Sequence, residues 1–139
     1  MVAYLRNTYV QLGAPYGLSE YCTQIVQQAH DDTRLLMNGD GCGEVVIGHS
    51  TSWLLRMLAD CYADTIQAGD EIVVAESGHE ANVGPWLRLE RQGAKIRWWR
   101  VDPETGSSSL EGLEAVLSER TKLVAFPHVS NLVGEIVDV

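Results

Sequence analysis

From residue 44 onward the chain alternates between two rhythms. Short β-branched runs are each followed by a stretch in which apolar side chains recur at helical spacing. The runs are Glu44-Val45-Val46-Ile47, Glu71–Glu76, Lys95–Val101 and Thr121–Phe126, and they predict four strands. Between them lie three predicted helices. One follows Gly48-His49-Ser50-Thr51-Ser52 and reaches about Gln67, with Ser52, Arg56, Asp60 and Asp64 as its polar stripe and Leu54, Leu58, Cys61 and Ile66 on the apolar side. The next runs from about Glu80 to Arg91, with Pro85 tolerated in its first turns and Gly93 as its stop. The last carries a capping box, Ser108 with Glu111, and reaches Leu117 with Leu110, Leu113 and Leu117 facing the core.

Before this alternation the pattern is different. Residues 1–18 read as irregular, broken by Gly13, Pro15 and Gly17. Ser19 then reads as the N-cap of a helix from about Glu20 to Met37, with Tyr21, Cys22, Ile25, Ala29 and Leu36 on its apolar side. Strands and helices in alternation with short connections mean βαβ units. The expected class is therefore α/β, a three-layer αβα arrangement around a mostly parallel sheet. Residues 1–42 form an N-terminal segment and helix, and residues 43–139 a partial α/β domain. Four strands make a thin sheet with open edges, and a new element is due where Glu135–Val139 stops. The expectation is a piece of a larger domain.

Composition narrows the classes. The chain has 139 residues, 45% hydrophobic, with a formal net charge of -9. That charge argues against nucleic acid or an anionic membrane held by bulk electrostatics, yet leaves room for a small anion held by local donors. No apolar run approaches a membrane span, and the first residues lack a signal-peptide layout. Three cysteines without a CxxC pair argue for a reducing compartment, so cytoplasm is the expected location. Cys22 and Cys61 fall on apolar helix faces, and Cys42 lies in a glycine-rich loop.

The candidate chemistry sits where predicted strands end. At Gly48–Ser52, a glycine followed by hydroxyls at a helix start can cradle a phosphate through free N–H groups and the helix dipole, or Ser50 and Thr51 can simply cap the helix. The spacing matches neither a P-loop nor a dinucleotide fingerprint. His79 follows the second run and can stack, act as a base or cap a helix. Asn131 follows the fourth run and can bond a ligand oxygen or close a turn. In a parallel sheet the carboxyl ends of the strands share one edge, so hydroxyls, an imidazole and an amide are expected together there. Arg88, Arg91, Arg97 and Arg100 read as solvated, and Trp86, Trp98 and Trp99 as core. Two other classes compete: a phosphate- or nucleotide-binding α/β domain without catalysis, and a metal hydrolase using His49, His79, His128 and Glu80.

Taken together, Gly69-Asp70-Glu71-Ile72-Val73-Val74, His79-Glu80-Ala81-Asn82-Val83-Gly84-Pro85-Trp86, Thr121–Ala125 and His128-Val129-Ser130-Asn131-Leu132-Val133-Gly134 resemble the class V aminotransferase and cysteine desulfurase group of fold-type I pyridoxal-phosphate enzymes. The resemblance is good from about residue 43 and vague before it. It implies the N-terminal part of the family's large domain, with pyridoxal 5'-phosphate as cofactor and an amino acid as substrate. It implies that Ser50 and Thr51 hold the cofactor phosphate, that His79 stacks on the pyridine ring as the catalytic histidine, and that Asn131 bonds near the ring oxygen or the substrate carboxylate. A homodimer is implied in the same way. The family's Schiff-base lysine lies in a later segment, and Lys95 and Lys122 do not match it. The chain is thus expected to be a fragment, not competent alone.

Overall fold

The computed structural model describes residues 1–138 and divides into two compact units, Met1–Ile47 and a second from Gly48 onward. In the first unit, α1 (Val2–Asn7) forms where an irregular start was expected, closed by the Thr8 hydroxyl donating to the Tyr4 carbonyl. The longer α2 (Gly17–Leu36) starts three residues earlier than the Ser19 cap would allow. Ser19 lies inside the helix, fully buried. It donates to the Gln11 carbonyl at 2.7 Å and accepts from the Ala14 N–H at 2.9 Å, so it anchors the preceding loop instead of capping. Of the expected apolar side only Cys22 is buried, and Leu36 stays exposed.

Glu44–Ile47 forms no strand. A β-branched run supplies propensity, but a strand also needs a neighbour for its N–H and C=O groups. Here the Val45 carbonyl is taken by the His30 ring Nδ1 at 2.8 Å, and Val46 and Ile47 are exposed.

The second unit holds the sheet. After α3 (Thr51–Ala63) come β1 (Glu71–Ala75), a 3-10 turn at Glu80–Asn82, α4 (Gly84–Leu87), a 3-10 segment at Arg88–Gln92, β2 (Lys95–Trp99), α5 (Leu110–Glu114) and β3 (Thr121–Ala125). The sheet order is β2-β1-β3 with both pairings parallel. Every residue of β1 is buried, which a central parallel strand requires and its Ile-Val-Val-Ala sequence permits. One face carries Ile72 and Val74, packed with Ala59, Trp86, Leu89 and Ala94 from α3 and the 80–94 segment. The opposite face carries Val73, Ala75 and Trp99, with Leu113 of α5 and Val116 of the turn after it against them. Helices on both faces make the expected three layers, built on three strands and not four.

Two details differ from expectation. The cap of α5 is Ser109, whose Oγ accepts from the Gly112 N–H at 3.0 Å, while Ser108 turns its backbone N–H to the Glu135 carboxylate at 2.6 Å. Starting one residue later rotates the helix, so Leu110 is exposed and Val116 joins Leu113 on the core side. Cys61 is likewise exposed.

Gly93 ends the 80–92 helical segment at φ +96, and a Cβ there would meet the Ala68 Cα at 2.9 Å. Left-handed backbone and backbone crowding coincide, so Gly93→Ala should lower stability by about 1–3 kcal/mol, read from urea midpoints.

Among the described residues Glu71 is the one buried charged side chain, 4% exposed. Its carboxylate accepts from the Ser118 hydroxyl at 2.7 Å and pairs with Arg97 at 3.0 Å. The Ser118 hydrogen bond, then the Arg97 hydrogen bond, pull its pKa below the ordinary glutamate value against the cost of burial. A depressed folded-state pKa means that the unfolded chain takes up the proton first. The stabilisation is thus whole above the ordinary glutamate range and is lost as pH falls through the lower folded value. Glu71→Gln should therefore be less stable at neutral pH and show a shallower loss of stability with acid, followed by circular dichroism.

Candidate functional site

The carboxyl edge of the sheet is built by the segments that leave β1 and β3. β1 ends at Ala75, and the chain turns within three residues. The Gly78 N–H bonds back to the Ala75 carbonyl at 3.1 Å, and a Cβ on Gly78 would lie 3.0 Å from that same oxygen. The turn therefore needs glycine for close approach. Glu76 ties this turn to the end of β2, accepting from the Val101 N–H at 3.1 Å and from Arg100 at 2.6 Å. The Val101 backbone bond, then Arg100, hold its pKa below the usual carboxylate range.

His79 caps the 3-10 turn that follows. Its Nδ1 accepts from the Ala81 N–H at 3.0 Å, so in the neutral ring the proton sits on Nε2. That bond fixes the imidazole by one edge and leaves its faces free.

Two polar side chains stitch the β1 segment to the β3 segment. The Asn82 amide donates to the Phe126 carbonyl at 3.3 Å and accepts from the Trp86 indole N–H at 3.1 Å. The buried Ser130 hydroxyl donates to the Ser77 carbonyl at 3.1 Å and accepts from the Leu132 and Val133 N–H groups at 3.3 and 3.4 Å. Asn131 follows directly on this latch, so its position is set relative to the His79 turn.

Thr51, His79 and Asn131 line one open cavity of about 330 Å³, together with Ser52, Leu55, Ala81 and Asn82. Three separate elements thus bring a hydroxyl, an imidazole and an amide to one place. Ser50 is not on that lining. It caps α3, its Oγ accepting from the Trp53 N–H at 3.2 Å. A hydroxyl used in this way keeps its own O–H free to donate, and the cap marks the positive end of a 13-residue helix beside the cavity. The donor set suits a phosphorylated planar ring: hydroxyls and a helix N-terminus for an anion, a ring to stack, an amide for an oxygen.

Of the residues of the metal reading, His79 lines this cavity and Glu80 one adjoining it, while His49 and His128 line neither. His49 lies against the Trp53 ring, with centroids 4.9 Å apart, and the His128 carbonyl accepts from Val137. Among the described residues no three His, Cys, Asp or Glu side chains come together in a way that holds a metal.

Sequence reasoning passed over four side chains. Asn82 and Ser130 were visible as short polar residues inside apolar stretches next to strand ends. Arg97 and Arg100, read as solvated, are paired with Glu71 and Glu76. Arg56 and Arg88 line a second cavity beside the first.

A parallel sheet flanked by helices defines an α/β protein, and the donor cluster on its carboxyl edge is its candidate ligand site. The comparisons narrow this. The model of the aminotransferase class-V family matches residues 1–139, and the chain belongs to that family. It is 38% identical over 135 residues to the aminotransferase-like protein FGM3 of Gibberella zeae, covering 96% of this chain and 33% of that protein. It is 34% identical over 121 residues to a cysteine desulfurase of Salmonella gallinarum, covering 86% of this chain and 30% of the relative. Among solved structures, the apo cysteine desulfurase of Thermococcus onnurineus matches with a TM-score of 0.85 at 26% identity, over 97% of this chain and 34% of that one. The cysteine desulfurase CsdA of Escherichia coli has the same fold, with a TM-score of 0.77 at 23% identity over 98% of this chain and 34% of that chain. The chain thus spans about a third of the length of the relatives it matches. Among the described residues no helix is long and apolar enough to cross a membrane.

Proposed function

We propose that this chain forms one wall of the pyridoxal-phosphate site of a cysteine desulfurase-like class V enzyme that acts on an amino acid. The observation that carries the reading is the shared cavity of Thr51, His79 and Asn131. In this reading Ser50 and Thr51, with the free N–H groups at the start of α3, hold the cofactor phosphate. His79 covers one face of the pyridine ring, oriented by the Ala81 N–H. Asn131 donates to the ring oxygen or to the substrate carboxylate. When bound, the cofactor withdraws electrons from the amino acid's Cα as a bond to that carbon breaks.

What these residues do is bind, orient and exclude water. The two lysines, Lys95 and Lys122, are both exposed, and neither lines the cavity, so neither is placed to anchor the cofactor covalently. The covalent anchor and the proton-shuttling base belong to other parts of the enzyme in this reading. A homodimer follows from the family resemblance, and the reducing compartment argued from the cysteines places it in the cytoplasm.

The phosphate cradle can be tested with a pair of ligands that differ only there. Pyridoxine 5'-phosphate and pyridoxine both lack the aldehyde, so neither reacts with Lys95 or Lys122. The full chain should bind the phosphorylated form about tenfold or more tightly, and Ser50→Ala with Thr51→Ala should erase most of that preference. Equal binding of both forms by the unaltered chain would contradict the cradle. Inorganic phosphate binding as tightly as pyridoxine 5'-phosphate would favour a plain phosphate-binding domain.

A further inference from the structure

A second cavity, of about 400 Å³, adjoins the first and shares Ser52, His79 and Ala81 with it. Its charged lining is Arg56 from α3, Arg88 from the 3-10 segment and Glu80 from the turn after His79. Neither arginine is firmly used by the fold. Arg56 faces Asp60 at 3.9 Å with both side chains more than half exposed, a weak pair. Arg88 is half-buried, and among the described residues its guanidinium has no ion pair, in contrast to Arg34, Arg56, Arg97 and Arg100. A guanidinium that has given up part of its hydration without gaining a carboxylate has donors to offer a ligand. The chain as a whole is strongly acidic, so two convergent arginines are a local reversal of its field.

We propose that Arg56 and Arg88, which line one cavity, form an anion subsite that grips the side-chain carboxylate of an acidic amino acid whose other end reaches the His79 cavity. The two guanidinium groups are offset by Glu80 in the lining and by Asp60 at 3.9 Å from Arg56, which leaves little surplus positive charge and suits a singly charged carboxylate better than a doubly charged phosphate. The forked geometry of arginine suits a carboxylate, and the Ser52 hydroxyl adds a donor where the two cavities meet. The placing of the amino-acid end rests on the function proposed above. The carboxylate grip does not, and it needs no cofactor.

The test compares L-glutamate with L-glutamine, which differ only in the group that the subsite would hold. In the isotopically labelled full chain, L-glutamate should move the Arg56 and Arg88 side-chain N–H signals saturably, and L-glutamine should not. Arg88→Gln and Arg56→Gln should each weaken glutamate binding about threefold to tenfold. Arg56 is exposed, so its replacement leaves the fold intact. Glu80→Gln should strengthen binding, an effect of opposite sign that a loosened fold would not produce. Equal shifts with glutamine, or glutamate binding unchanged in Arg88→Gln and Glu80→Gln, would overturn the subsite. A pyridoxine 5'-phosphate titration on the same sample separates the two ideas. Loss of that binding with the arginine response intact would remove the cofactor site and keep the subsite.

Discussion

Replacing Trp86 with alanine is expected to lower stability by about 3–5 kcal/mol, a large share of what a domain of this size has to spare. Trp86 is 3% exposed and sits between α3 and the sheet, edge-on to the Tyr62 ring at 6.0 Å. It belongs to the same core face as Ile72, Val74 and Leu89. Truncation opens a cavity there and removes the donor that holds the Asn82 amide oxygen. Trp86→Phe keeps most of the packing and loses only the hydrogen bond, so it should cost about 1 kcal/mol beyond the small change in volume. Urea unfolding of the three proteins reads both effects. An unchanged midpoint in Trp86→Ala would contradict the packing described.

The second large effect is expected at Asn82. Its side chain joins the turn after β1 to the segment after β3 and carries no chemistry of its own. Asn82→Leu keeps the volume and breaks both bonds, leaving the Trp86 N–H and the Phe126 carbonyl unpaired, at a cost of about 2–4 kcal/mol. The readout specific to the latch is local. Amide hydrogens at 128–134 should exchange faster relative to those of β1 than the global loss of stability explains. Uniform acceleration through the whole unit would mean that Asn82 only packs.

The three strands that form were legible because each is a short run rich in β-branched or aromatic residues, and β1 is apolar on both faces as a central parallel strand must be. From parallel order alone it followed that residues after β1 and β3 share an edge, and His79 and Asn131 do meet at one cavity. The fourth run, Glu44–Ile47, shows the limit. Its propensity equals that of β1, but no neighbouring strand completes its backbone bonds, and pairing is a property of the fold. The serine caps show a second limit. Ser19, Ser108 and Ser109 are all competent hydroxyls, and which one caps depends on partners distant in sequence, Gln11 for Ser19 and Glu135 for the Ser108 backbone.

Arg88 shows a third limit. The 80–92 stretch is not one α-helix but a 3-10 turn, a single α turn and another 3-10 segment. A 3.6-residue period does not describe the faces of such a stretch, and Arg88, read as solvated, lines a cavity. Arg97 of β2 and Arg100 just beyond it are exposed, as their solvated reading expected, and the fold adds what the sequence could not show, an ion pair from each to Glu71 and Glu76.

The most direct test follows the His79 ring itself. In the full chain with labelled histidine, saturating pyridoxine 5'-phosphate should shift the His79 ring signals upfield through the ring current of a stacked heterocycle, while those of His30 and His128 stay in place. A ligand that binds without moving the His79 signals, or that binds His79→Ala as tightly as the unaltered chain, would show that the imidazole does not face the cofactor.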